Sequence, residues 1–200
     1  IGVWIDPAFL QTLPAREVRS GYGEIIKHGL IADREQWNQL KTITDLTAVD
    51  WQTIIPASVN VKREIVLEDP FEKGLRKALN FGHTIGHAIE SYWLETDHRL
   101  FHGEAIAAGM IMEAWLSTQL DELTEEDLTE ISNYCLAVYG HPNVPEEAFP
   151  ELLALMQQDR KNEDLRINFT LLSAPGKARV NATAEGELIL AAIRHYNQLA

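Results

Sequence analysis

Three histidines and one glutamate are the residues of this chain whose types and spacing suit a divalent metal ion. His83 and His87 lie at i and i+4, so on a helix both rings could reach one ion. In the zinc-protease helix such a pair encloses a glutamate that serves as base, whereas Thr84-Ile-Gly86 stands between these two. His102 opens a later helical stretch, and a returning helix would carry it back toward the pair. Glu24, on an earlier helix, could add a carboxylate. Two imidazoles and a carboxylate with one position left open form a common catalytic zinc set. The plainer alternative makes His102 and Glu24 helix-end and surface residues.

Read at helical pitch, Arg76, Asn80, His83 and His87 fall at i, i+4, i+7 and i+11, on one stripe. Leu75, Leu79, Ile85 and Ile89 flank it, and it lacks the Glu/Lys mixture of a solvated face. Gly82 and Gly86 interrupt the same stretch, and each costs a helix about 1 kcal/mol against alanine. A ligand or a second helix is therefore expected close to the backbone there. Lys27, three residues after Glu24, joins Lys62, Arg76 and Lys161 as candidate anion contacts. Singly each reads as a surface charge. Together with Asn80 and a histidine they are what carboxylate and phosphate recognition requires.

The formal net charge of −13 argues against nucleic acid and anionic membranes as partners. An acidic chain that binds an anion must gather its few cations in one place. Apolar content of 46% supports a core, and no run of 18 apolar residues suggests a membrane span. The single cysteine, Cys135, excludes an internal disulfide and fits a reducing, cytoplasmic setting.

These residues need helices to position them. Ile1–Ile5 reads as a strand end broken by Asp6-Pro7, and a short helix runs from Pro7 to Leu13. The opening apolar run, without a methionine, suggests the C-terminal part of a longer chain whose other part carries a sheet. A helix over Pro14–Ala32 is expected to restart near Ser20-Gly-Tyr-Gly23. Asp33 caps a helix to about Lys41. Thr47–Glu68 reads as a long helix ended by Pro70, and Phe71–Leu94 as the helix bearing the stripe. His102 opens a helix rich in small residues, central by its composition. Thr124, with Asp127, caps the next. Pro145 begins one that runs to about Gln158. Leu165–Leu172 and Ala178–Ala182 flank Ala-Pro-Gly-Lys as a hairpin, and Thr183–Leu199 closes the chain. The fold class is mainly α: a multi-helix bundle of seven to nine helices with one small β-hairpin near the C-terminus, in a single domain.

Six strings in order resemble the 3-dehydroquinate synthase family. They are Ser20-Gly-Tyr-Gly-Glu-Ile-Ile-Lys-His-Gly29, Lys62-Arg-Glu-Ile-Val66, Glu72-Lys-Gly-Leu-Arg76, Leu79-Asn-Phe-Gly-His-Thr-Ile-Gly-His-Ala-Ile-Glu90, His102-Gly-Glu-Ala-Ile-Ala-Ala-Gly-Met110 and Asp159-Arg-Lys-Asn162. The resemblance covers almost the whole chain. It implies the C-terminal α domain of an NAD- and metal-dependent lyase that eliminates phosphate and closes a carbocycle, the second step of the shikimate pathway toward chorismate and the aromatic amino acids. Residues 1–13 would be the join to an N-terminal NAD-binding domain lying outside this chain.

By the same resemblance Glu24, His83 and His102 correspond to ligands of Zn2+ or Co2+. Lys62 and Arg76 would hold the substrate carboxylate, and Asn80, His87 and Lys161 the phosphate of a sugar phosphate. Lys27, Glu72 and His87 take catalytic roles, with Lys27 and Glu72 on the hydroxyl-bearing side of the substrate. Arg160 is the alternative to Lys161. The full-length protein is implied to be a homodimer. One departure is Gly23, where the family commonly has alanine, which would loosen the helix before Glu24. A related cyclase acting on a sugar phosphate without a carboxylate, and a non-catalytic helical interaction domain, are the competing readings.

Overall fold

The computed structural model describes residues 2–120, 123–158 and 166–199, and places eight α-helices and one hairpin among them. A 3-10 helix at Pro7–Thr12 precedes α1 (Ala15–Ala32) and α2 (Arg34–Leu40). A second at Leu46–Ala48 leads into α3 (Trp51–Glu68), and a third at Leu75–Asn80 into α4 (His83–Trp93). Next come α5 (His102–Leu120), α6 (Glu125–Tyr139) and, after a 3-10 turn at Glu146–Ala148, α7 (Phe149–Gln158). Strands β1 (Arg166–Ala174) and β2 (Lys177–Glu185) pair antiparallel, and α8 (Gly186–Asn197) closes the order.

Helix α5 is the axis of the bundle. Every residue from Gly103 to Ala114 is buried, and α1, α4, α6, α8 and β1 pack around it. A helix that is apolar on all sides belongs inside, which its small residues make possible. Its one fully buried charge in that span, apart from Glu104, is Glu113. The remaining core is aliphatic and aromatic, with Trp37 at zero exposure donating its Nε1 hydrogen to Glu130 Oε1 at 2.9 Å.

Local chemistry sets most boundaries. Asp33 accepts from Gln36 N and caps α2, Asp50 accepts from Gln52 N at α3, and Thr124 accepts from Asp127 N at α6. The hairpin hangs from the helices by backbone groups: Leu172 N donates to Ser117 Oγ at 3.0 Å, and Gly176 N to Leu30 O at 2.7 Å. Thr170 Oγ1 donates to Lys77 O at 2.7 Å, and Lys77 Nζ to Asn181 Oδ1 at 2.8 Å.

Three expectations need correction. The stretch Phe71–Leu94 is not one helix, because it breaks at Phe81–Gly82, where Gly82 takes φ 77°. Arg76 and Asn80 therefore sit on the 3-10 turn, and only His83 and His87 share a helical stripe. Helix α1 runs unbroken through Ser20-Gly-Tyr-Gly23, since Tyr22 and Gly23 are buried in tertiary packing that outweighs glycine's helix penalty. Residues 2–6 form no strand, and Val3 and Trp4 stand exposed with no described partner strand.

A candidate metal centre where three helices meet

Glu24 lies on α1, His83 is the first residue of α4, and His102 is the first residue of α5. Their side chains meet. Glu24 Oε1 lies 3.4 Å from His83 Nε2 and 3.7 Å from His102 Nε2. Two donors each about 2.1 Å from a tetrahedral ion stand about 3.4 Å apart. Among the described residues no group hydrogen-bonds Glu24 Oε1, although the atom is buried. A buried carboxylate oxygen without a hydrogen-bond donor is costly, and a cation held together with the two rings would satisfy it. The residues present therefore fit a divalent metal.

Close packing brings the three helices together. A Cβ on Gly103 would stand 2.0 Å from Ser20 O, and one on Gly109 would stand 2.1 Å from Gly82 O. Only bare backbone lets α5 lie this close to α1 and α4. The same contacts answer the glycine question raised by the sequence, because Gly82 and Gly86 face α5, a second helix. Gly23 does not loosen α1. A Cβ there would lie 3.2 Å from both Gly103 Cα and Tyr139 Oη, and Tyr139 uses that room to donate to Arg19 O at 2.8 Å.

The rings are oriented from behind. His83 Nδ1 lies 3.1 Å from Phe81 O, which can only accept, so Nδ1 carries the hydrogen and Nε2 offers its lone pair. His102 Nδ1 lies 3.0 Å from Glu90 Oε2, the carboxylate–histidine arrangement that fixes a metal-binding ring. Burial, reinforced by the Lys27 ammonium, pushes His83 down to about 3, which keeps it neutral. Burial alone would raise the Glu24 carboxyl, yet His102 and Lys27 outweigh it and hold Glu24 well below the usual range.

Lys27 Nζ donates to Glu24 Oε2 at 2.7 Å and Lys27 is almost wholly buried, so its end of the ion pair is shielded from water while Glu24 stays partly exposed. His28, next to it, is buried against Ser58 Oγ of α3 at 2.6 Å and is pushed by burial to about 4. That contact packs α3 on α1, and Ser58 stands four residues before Lys62. The Lys62 charge is near enough to act on Lys27.

His87 adds a third ring. Its centroid lies 4.8 Å from that of His83 and 5.7 Å from that of His102, and ligand atoms of the three rings lie within 4.8 Å of one another. The three imidazoles are thus a second possible ligand set, and the orphaned Glu24 oxygen favours the first. His87 is exposed and faces a hollow of about 400 Å³ between α4 and α7, with Thr84, Glu90 and Gln158 on its walls. A larger hollow of about 550 Å³, between Pro7–Leu13 and the start of α3, shares no residue with the site.

The turn before α4 is held differently. Asp69 accepts from the backbone of Lys73, Gly74 and Arg76 at 3.0, 2.7 and 3.1 Å. Glu72, at φ 56°, accepts from Asn80 Nδ2 at 3.0 Å, and the Arg76 guanidinium donates to Pro70 O at 3.0 Å. The structure thus brings Glu24, Lys27, His83, His87 and His102 into one corner, with Lys62 nearby. It groups Glu72, Arg76 and Asn80 on the adjoining turn. Lys161 and Arg160 lie outside the described residues. The sequence reading missed Glu90 and Glu113. Glu90 stands seven residues after His83, on the same helical face, and Glu113 is a lone charge deep in an apolar helix.

Comparison with known proteins adds a lineage to this geometry. The family model of the 3-dehydroquinate synthase C-terminal region matches residues 21–162, which hold every candidate site residue named above. The 3-dehydroquinate synthase of Parabacteroides distasonis is 40% identical over 199 residues, covering 98% of this chain and 56% of that protein. That of Rippkaea orientalis is 36% identical, covering 96% and 54%. The chain thus spans about half the length of the curated relatives it matches. Among solved structures, a 2-deoxy-scyllo-inosose synthase complexed with carbaglucose-6-phosphate, NAD+ and Co2+ superposes with TM-score 0.80 at 25% identity, covering 95% of this chain and 54% of that one. A 2-epi-5-epi-valiolone synthase from Streptomyces hygroscopicus with NAD+ and Zn2+ bound gives 0.81 at 25%, covering 98% and 55%.

Proposed function

The chain belongs to the 3-dehydroquinate synthase family, and from that membership we propose that it is the metal- and substrate-binding α domain of such a synthase. The whole enzyme would convert 3-deoxy-D-arabino-heptulosonate 7-phosphate to 3-dehydroquinate and phosphate. The observation that carries the reading is the buried, unsatisfied Glu24 oxygen facing the Nε2 atoms of His83 and His102. Residues 1–13 are read as the join to an NAD-binding domain, and the full-length protein as a cytoplasmic homodimer.

A divalent ion, zinc or cobalt, supplies Lewis acidity toward a substrate oxygen, and NAD supplies a hydride acceptor regenerated in each turnover. The residues of the chain do the rest. Glu24, His83 and His102 hold the ion, while Phe81 O and Glu90 keep the two rings turned toward it. Lys62 and Arg76 grip the carboxylate, the guanidinium by its planar fork. Asn80, His87 and Lys161 receive the phosphate, with His87 facing the open hollow where a leaving group can depart. Lys27 donates to a substrate hydroxyl from a nearly dry position, where its charge acts more strongly than in water. Glu72 accepts on the same side. Clamping both ends of a flexible sugar fixes one pose, which can supply several kcal/mol, on the order of the gains known for well-oriented reactions.

A second reading, a cyclase whose sugar phosphate lacks a carboxylate, draws on the two solved relatives at 25% identity. Against it stand the paired cations Lys62 and Arg76, which such a substrate would not need, and the 40% identity to a 3-dehydroquinate synthase. The deciding experiment is turnover by the protein carrying both domains, given the heptulosonate phosphate or a hexose phosphate, with zinc content measured for the wild type and Glu24→Ala. The heptulosonate phosphate should be preferred, and zinc should fall in the variant. Preference for the hexose phosphate would overturn the first reading, and a well-folded protein without zinc would favour a non-catalytic interaction domain. The 200-residue chain alone should show no turnover.

A further inference from the structure

Helix α4 begins without a cap of its own. Its N-cap residue is Gly82, which has no side chain to offer, and Thr84, Ile85 and Gly86 of the first turn are buried. Such donors need acceptors. They receive them from another helix: Glu113 Oε2 accepts from Gly82 N at 2.7 Å, and Glu113 Oε1 accepts from Ile85 N at 3.1 Å. Glu113 sits midway along α5 with zero exposure. Both carboxylate oxygens are thus engaged at the turn that starts with His83.

We propose that Glu113 is a positioning residue for the candidate ion site: by clamping the first turn of α4 from inside α5, it aims the His83 ring. The proposal deepens the metal reading and rests on it. Three observations support it. The clamp brackets His83, with one bonded amide immediately before it and the other two residues after. Gly82 O is also where Gly109 of α5 makes its closest approach, so the two helices are fixed to each other at this turn. Finally, the Glu113 charge is felt at Lys27, whose ammonium it favours, which places the carboxylate within electrostatic range of the site. A carboxylate is required because an amide of the same shape has only one acceptor oxygen and can serve only one of the two N–H groups.

The test is Co(II) titration of the metal-stripped protein carrying both domains, followed by its visible spectrum, for the wild type, Glu113→Gln, Glu113→Asp, His83→Ala and the double variant Glu113→Gln/His83→Ala. Glu113→Gln should weaken Co(II) binding about tenfold or more, the range of second-layer ligand supports, and alter the spectrum while leaving far-UV circular dichroism unchanged. Glu113→Asp keeps the charge but withdraws from the amides, so it should show the same loss and serves if the glutamine variant does not fold. With His83 absent, residue 113 should no longer matter to the remaining affinity. Wild-type affinity in Glu113→Gln and Glu113→Asp, or an undiminished effect in the double variant, would overturn the proposal. If the wild type takes up no Co(II), the metal reading fails by itself. The positioning claim is then decided by the His83 imidazole nitrogen-15 shifts, which move in Glu113→Gln if the clamp aims the ring and stay fixed if it does not.

Discussion

Two neighbouring regions of this protein solve the placement of functional groups in opposite ways. The corner holding Glu24, His83 and His102 is made by helices pressed into backbone contact, with side chains of one helix capping or bonding the start of another. Glu113 of α5 serves α4, and Ser20 of α1 accepts from Gly103 N of α5 at 3.0 Å. The turn holding Glu72, Arg76 and Asn80 is fixed mainly by polar hooks at the surface, chiefly the Asp69 carboxylate with its three backbone donors. An ion demands fixed donors at fixed separations. A polyhydroxy substrate that must enter, react and leave is better met by groups on a segment that can give. The first arrangement is expensive to alter anywhere, and the second is adjustable.

The contrast is broken most severely at Gly103. An alanine there would place its Cβ 2.0 Å from Ser20 O, a backbone atom that cannot swing aside. Gly103→Ala should cost about 3 kcal/mol or more by forcing α1 from α5, read by urea unfolding, and should abolish ion binding with it. A variant of near wild-type stability would show that the helices are not in fixed contact.

A smaller, local effect is expected at Asp69. Asp69→Asn loses an acceptor oxygen, so amide exchange at Lys73, Gly74 and Arg76 should quicken while Co(II) affinity stays as in the wild type. Acid should likewise strip these three amides of their protection. The Gly74 and Lys73 N–H groups hold the Asp69 carboxyl below its ordinary 3.8. A carboxyl lowered in the folded state stabilises above its ordinary value and ceases to as pH falls through the lowered one. Protection of these amides, taken relative to the intrinsic exchange rate at each pH, should therefore hold above pH 3.8 and fall only at lower pH. Loss of ion affinity in Asp69→Asn would mean that the two regions are one.

The smallest change is Gly23→Ala. The helix gains about 1 kcal/mol in propensity, while the new Cβ crowds Gly103 Cα and Tyr139 Oη at 3.2 Å. The terms nearly cancel, so stability should fall by less than about 1 kcal/mol. The loss should shrink when Tyr139→Phe removes the hydroxyl.

The same contrast explains what could be read from the sequence. Helices stopped by local signals were legible: Asp33, Thr124 and the Ala-Pro-Gly-Lys turn act through neighbours in the chain. That Glu24, His83 and His102 could meet in one corner was legible from helical pitch and a returning helix, whereas their choice over His87 as ligands came from the family resemblance and stands as a proposal. The break before His83 was not. Gly82 looked like a tolerated glycine inside a helix, because its cap comes from Glu113, 31 residues away. Helix α1 fails to restart at Ser20-Gly-Tyr-Gly23 for a related reason: packing against α5, distant in sequence, outweighs local propensity. Glu90 was visible as a letter in a motif, but its hydrogen bond to His102 requires knowing how α4 and α5 cross.

Among the described residues none of the C-terminal hairpin lines the hollow beside His87, yet the hairpin is not idle. Thr170 of β1 grips the carbonyl of Lys77, and Asn181 of β2 receives that residue's ammonium. Lys77 is the immediate neighbour of Arg76 and stands three residues before Asn80. The two strands therefore act as a buttress beneath the anion-gripping turn, so a shift in their register would tilt that turn like a lever while leaving the imidazoles in place.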